Sequence, residues 1–186
     1  MKGIIFTEFL EMVESKFGLE TADTIIESAN LPSQGVYTSV GTYDFNEMVS
    51  LITELSSITE IGLGELIYTF GHYLFASLGK AHPEVIQSYS SPLSMLYSIE
   101  DHIHVHVQKL YPEAELPTFK IIDKTDTTLT MIYCSSRGLY RLAHGLIEKT
   151  FEHFNESATV SYEVLKDDGT EVKFHIGLAT KKWTIR

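Results

Sequence analysis

The chain has 186 residues and a formal net charge of -11, from 14 Lys plus Arg against 25 Asp plus Glu. That length suits one domain with a substantial core and excludes two large catalytic domains, while the acidic balance without a basic run disfavours nucleic acid and anionic lipid as partners. A single cysteine, Cys134, excludes an intrachain disulfide and any four-thiolate zinc or single-chain iron-sulfur cluster, which leaves the eight histidines as the main nitrogen ligands for a metal.

Glu8, Glu11 and Glu14 stand where a signal peptide would carry its apolar stretch, and no apolar run approaches the roughly 20 residues that span a bilayer. A soluble, cytoplasmic protein is therefore expected, without a membrane partner. Phe6, Phe9, Leu10, Val13 and Phe17 repeat at three and four and predict a first helix, stopped by Gly18. A short second helix is expected over Thr21 to Ser28. After a loop through Gly35 and Gly41, Asp44 or Asn46 can cap a helix carrying Met48, Leu51, Ile52 and Leu55. Another begins near Gly64 and buries Leu66, Ile67, Phe70, Leu74 and Phe75. Gly71 inside it costs about 1 kcal/mol against alanine, which points to close approach by another group.

From Pro92 to Tyr111, Leu96, Ile99, Ile103, Val107 and Leu110 repeat at helical spacing, whereas His102 to Val107 alternate at two. The longer stripe favours one helix, ended by Pro112. Phe119 to Ile122 and Leu129 to Ser135 read as strands, Leu139 to Phe154 as a helix, and Val160 to Leu165 with Glu171 to Ile176 as a hairpin. Trp183 to Ile185 reads as a last extended piece. The fold class is α+β, a helical first part followed by strands and helices, with no internal repeat or linker.

Two groups of residues carry chemistry. His102, His104 and His106 would share one face of a strand, but in a helix His104 points roughly 200 degrees away from its two neighbours and stands alone. Tyr133, Ser135 and Arg137 alternate at a strand end, placing two hydroxyls beside a guanidinium. That trio outlines a clamp for a carboxylate or phosphate, although a solvated strand end has the same spacing. No glycine-flanked turn marks Ser135 as a nucleophile, so hydrolase chemistry is disfavoured.

The segment Asp101 to Pro112, followed by Tyr133-x-Ser135-x-Arg137, resembles the heme nitric oxide/oxygen-binding (H-NOX) domain family, related to the sensory domain of soluble guanylate cyclase. Met1 to Ile5, Phe70-Gly71-x-x-Leu74-Phe75, Leu110-Tyr111-Pro112 and Pro117-x-Phe119 resemble it in the same order, so the likeness covers nearly the whole chain. The resemblance implies an H-NOX-like fold with a helical distal part over about residues 1–63 and a proximal α+β part over 64–186, with heme b between them. It implies His104 as the iron ligand, Tyr133, Ser135 and Arg137 as the propionate clamp, and Pro117 as a residue pressing on the macrocycle. Ile5, Phe9, Leu74, Phe75, Leu78 and Leu142 match the distal lining. Oxygen-binding relatives carry a tyrosine where this chain has Leu142, and Tyr140 is expected to point elsewhere.

An apolar distal chamber without a donor favours nitric oxide, and also carbon monoxide, over oxygen. The expected function is a nitric oxide sensor, not an enzyme. By resemblance to stand-alone bacterial members, a histidine kinase or a cyclic-di-GMP enzyme supplied in trans would receive the signal. The alternatives are a heme redox or gas-handling enzyme, disfavoured by the lack of a distal acid-base pair, an oxygen-binding sensor, and an interaction module without cofactor. The lone cysteine departs from relatives with a histidine and several cysteines around a zinc near the C-terminus, and argues against that zinc.

Overall fold

The computed structural model describes residues 1–179; the extended piece expected at Trp183 to Ile185 lies outside them. Four helices come first: α1 (Gly3–Phe17), α2 (Leu19–Ser28), α3 (Phe45–Thr59) and α4 (Leu63–Ala81). Their apolar stripes close one core. Phe6, Phe9, Met12 and Val13 of α1 meet Ile25 of α2, Met48, Leu51 and Leu55 of α3, and Leu66, Phe70 and Leu74 of α4. Asp44 caps α3 by accepting from the Asn46 amide at 2.9 Å. The first helix begins before Phe6, where the expected stripe started, because the chain entry is pinned: the Met1 ammonium donates to the Tyr43 carbonyl at 2.6 Å and Lys2 bridges to Thr42.

The short α5 (Pro83–Gln87), too brief for periodicity to reveal, follows α4 and starts on a proline. The helix expected from Pro92 to Tyr111 is instead α6 (Pro92–Tyr97), a π-helical turn over Ile99–Ile103, and α7 (His104–Leu110). Ser98 ends α6, and the His104 amide reaches back five residues to the Ile99 carbonyl. Such wide turns are uncommon and often mark functional positions.

Among the described residues four antiparallel strands follow: β1 (Thr118–Lys124), β2 (Thr128–Cys134), β3 (Ala158–Val164) and β4 (Glu171–Leu178), in the order β1-β2-β4-β3. Between β2 and β3 runs α8 (Tyr140–His153). Period-two alternation puts Leu129, Met131 and Tyr133 of β2 and Val172, Phe174 and Ile176 of β4 on one buried face, against Ala143, Ile147 and Phe151 of α8. The two cores meet at α4 and α8. A Cβ on Gly71 would stand 2.4 Å from the Leu142 carbonyl oxygen, and one on Gly145 would stand 2.2 Å from that of Tyr68. Glycine at both positions lets the two backbones touch, and this crossing sets Leu74 and Leu142 beside the same cavity. No described helix is long and apolar enough to cross a membrane.

Candidate functional site

A cavity of about 330 Å³ lies among α1, α4, α7, α8 and the loop 114–117. Its wall is almost wholly hydrocarbon: Ile5 from α1, Leu74, Phe75 and Leu78 from α4, Leu142 and Leu146 from α8, and Val107 from α7. That size and lining are those of a small-molecule site, in which a few polar groups fix orientation. Here those groups include His104, Tyr133, Ser135 and Arg137, with His82 and His106 also on the wall.

His104 opens α7 directly after the π-helical turn. Its Nδ1 lies 3.2 Å from Glu100 Oε1, and the same oxygen accepts the Phe119 amide at 2.8 Å. A carboxylate on Nδ1 fixes the ring and leaves Nε2 as the nitrogen able to bind a metal, the arrangement by which metal-ligating histidines are oriented. Burial holds the imidazole below its usual pKa, and Glu100 opposes that shift. The neutral ring that iron requires is thus favoured, while the carboxylate keeps it basic.

Tyr133 and Arg137 lie at the foot of β2. Tyr133 is fully buried, and burial raises its phenol pKa against the opposing pull of Ser135 and Arg137. Ser135 Oγ accepts the Arg137 amide at 3.3 Å. The Arg137 side chain is only 15% exposed; its Nη1 donates to the Glu115 carbonyl at 2.8 Å and its Nη2 pairs with the Glu115 carboxylate. The guanidinium therefore already holds a carboxylate at the cavity rim, the chemistry expected of a clamp.

A family profile described as "Haem-NO-binding" matches residues 2–162. The chain belongs to the H-NOX family. Among solved structures, it is similar to the Fe(II) unliganded H-NOX protein of K. algicida, at 50% identity and a TM-score of 0.94 over 100% of both chains. The H-NOX of Shewanella woodyi in the Fe(II)CO state is 39% identical, with a TM-score of 0.83 over 98% of this chain and 96% of that one. An H-NOX protein from S. oneidensis in the Fe(II)NO state is 27% identical, with a TM-score of 0.88 over 96% and 99%. No similar chain is found among curated proteins.

The H-NOX cavity gathers His104, Tyr133, Ser135, Arg137, Pro117, Ile5, Leu74, Phe75, Leu78 and Leu142 around it. It does not gather Phe9. Four residues along α1 carry Phe9 about 6 Å beyond Ile5, into the helical core, where its ring meets Phe70 edge-on at 5.3 Å between centroids. Tyr140 is also away from the cavity, packed on Tyr162 with centroids 5.2 Å apart. Two partners of the site residues carry no assigned role in the sequence alone. Glu100 stands one helical turn before His104, a spacing that signals a possible pair; Glu115 meets Arg137 only through the tertiary fold.

The residues fit a heme. An apolar slot suits the macrocycle, one neutral imidazole with a fixed tautomer suits the iron, and an arginine already engaged with a carboxylate beside two hydroxyls suits the propionates.

Proposed function

We propose that this H-NOX domain is a nitric oxide sensor built on heme b, with His104 as the iron ligand. The observation that carries the reading is a histidine, His104, only 14% exposed and oriented through Nδ1 by Glu100, in a cavity whose wall around Leu142 is hydrocarbon. Ferrous heme, when bound, supplies an open coordination position for nitric oxide or carbon monoxide. Arg137, Ser135 and Tyr133 would hold its carboxylates, and Pro117 would pack against it. Ile5, Leu74, Phe75, Leu78 and Leu142 exclude water and present no hydrogen-bond donor, which bound oxygen needs far more than nitric oxide does.

The output is conformational. His104 begins α7, and Leu74 and Leu142 flank the Gly71–Gly145 crossing, so the site touches both halves of the molecule. The receiver of the signal in this reading is a histidine kinase or a cyclic-di-GMP enzyme. The deciding experiment is an anaerobic absorption spectrum of the reduced protein before and after nitric oxide and after oxygen. A Soret band that shifts with nitric oxide and not with oxygen is expected. A stable oxygen complex would overturn the selectivity, and a colourless protein that takes up no added heme would overturn the whole reading.

A further inference from the structure

His82, Glu84 and His106 form a second constellation beside the cavity. Their ligand atoms all lie within 4.8 Å of one another, and they are the only group of three or more such side chains so placed among the described residues. His82 Nδ1 is 3.6 Å and His106 Nε2 3.9 Å from the same oxygen, Glu84 Oε1. Both separations exceed hydrogen-bond length. His106 Nε2 is nonetheless buried and has no hydrogen-bond partner. A buried imidazole nitrogen without a partner, aimed at a carboxylate it does not reach, is an unmet coordination demand.

We propose that these three side chains bind a divalent transition ion of the zinc class. In a tetrahedral zinc site with bonds of about 2.0–2.1 Å, neighbouring ligand atoms stand roughly 3.4 Å apart. The present separations, none above 4.8 Å, exceed that value by at most about 1.4 Å. Two imidazoles and one carboxylate are a common donor set for zinc, with a fourth position left to water. Glu84 is 62% exposed, which gives the ion a route in.

His82 and His106 line the same cavity as His104 but at another corner of it. On α7 a step of two residues turns His106 about 200 degrees from His104, toward the corner where α4 ends at His82 and α5 begins. The three ligand atoms are also too close together to surround a porphyrin-bound iron, which offers a protein only its axial positions. An ion here would fasten α7 to the α4–α5 corner, joining segments that no covalent crosslink holds.

The test is a zinc titration of the protein as purified, stripped of adventitious metal by a chelator, against a chromophoric zinc indicator. One ion per chain is expected, with a rise in melting temperature and no loss of the Soret band. Glu84→Gln, a change at an exposed side chain, and His82→Ala should each weaken binding by at least the roughly 10–100-fold that follows loss of a supporting residue. His175→Ala, on the sheet, should not. Absence of stoichiometric binding, or binding unchanged by both Glu84→Gln and His82→Ala, would overturn the proposal. The titration keeps its meaning on a protein without heme, so failure of the heme reading appears in the Soret band and failure of this one in the indicator.

Discussion

Glu100 is the residue on which the orientation of His104 depends, and its removal has a calculable effect. One oxygen, Oε1, serves both His104 Nδ1 at 3.2 Å and the Phe119 amide at 2.8 Å. In Glu100→Ala both donors lose their acceptor, and Phe119 is 9% exposed, so water reaches its amide poorly. An unsatisfied buried donor costs about 1–3 kcal/mol. Because the Glu100 side chain is itself 39% exposed, water recovers part of the loss, and about 1–2 kcal/mol is the expected destabilisation. Loss of a residue that orients a metal ligand costs a further roughly 10–100-fold in metal affinity. Urea unfolding measures the first effect, and transfer of heme to an excess of apomyoglobin the second. Glu100→Gln keeps an oxygen for both donors and should stay near wild type in stability, yet it removes the charge that raises the His104 pKa, so burial then lowers that pKa further. An alanine variant with wild-type unfolding midpoint and wild-type heme retention would refute the reasoning.

Other predictions follow from the same geometry. Leu142→Tyr places a phenol in the hydrocarbon wall and should lengthen the life of an oxygen complex, measured by stopped-flow autoxidation, while nitric oxide binding persists. Gly145→Ala sets a methyl 2.2 Å from the Tyr68 carbonyl oxygen; forcing α4 and α8 apart costs about 1–3 kcal/mol, more than the roughly 1 kcal/mol of helix propensity returned, whereas Gly177→Ala, with open space around it, should change the denaturation midpoint little. His144 is held below its usual pKa by burial, partly opposed by Glu148, so the unfolded chain takes up the proton first and stability should fall as pH drops through about 6.5; His144→Gln should flatten that slope in pH-dependent urea unfolding. Tyr37 is pushed up to about 12, chiefly by burial, so stability should be lost between its ordinary value of 10 and about 12, and Tyr37→Phe should reduce that alkaline loss.

The helices of the first 81 residues were legible because each buries one continuous stripe, and stripes survive in sequence as three-and-four spacing. The strands were legible for the same reason at period two. The segment around His104 was harder. His102 to Val107 alternate like a strand, and the π-helical turn over Ile99–Ile103 shifts the helical phase by widening one turn, an event that side-chain periodicity does not record. At the cavity, side chains whose role is intrinsic to their type were visible: an isolated imidazole, an arginine with hydroxyls at alternate positions. Partners created by the fold were not. Glu115 meets Arg137 across 22 residues, Glu100 meets the Phe119 amide across 19, and His82 joins His106 only because the α4–α5 corner folds against α7. Phe9, placed in the lining by resemblance, packs on Phe70 in the helical core, a neighbour that only the fold supplies.

Arg137 also explains how so acidic a chain can receive an anionic group. Its guanidinium is largely withdrawn from water, and a cation in that position is costly unless a carboxylate accompanies it. Glu115 supplies that carboxylate from a side chain 78% exposed, in the same loop as Pro117. Exchange of the Glu115 carboxylate for one on a ligand keeps the cation paired, and water screens the released Glu115 charge, so the global charge of -11 exerts little opposition at this point. The displaced Glu115 returns to water at low cost because it scarcely left it. The exchange leaves the 2.8 Å bond from Arg137 Nη1 to the Glu115 carbonyl, so the loop that carries Pro117 stays tethered to the clamp through its backbone.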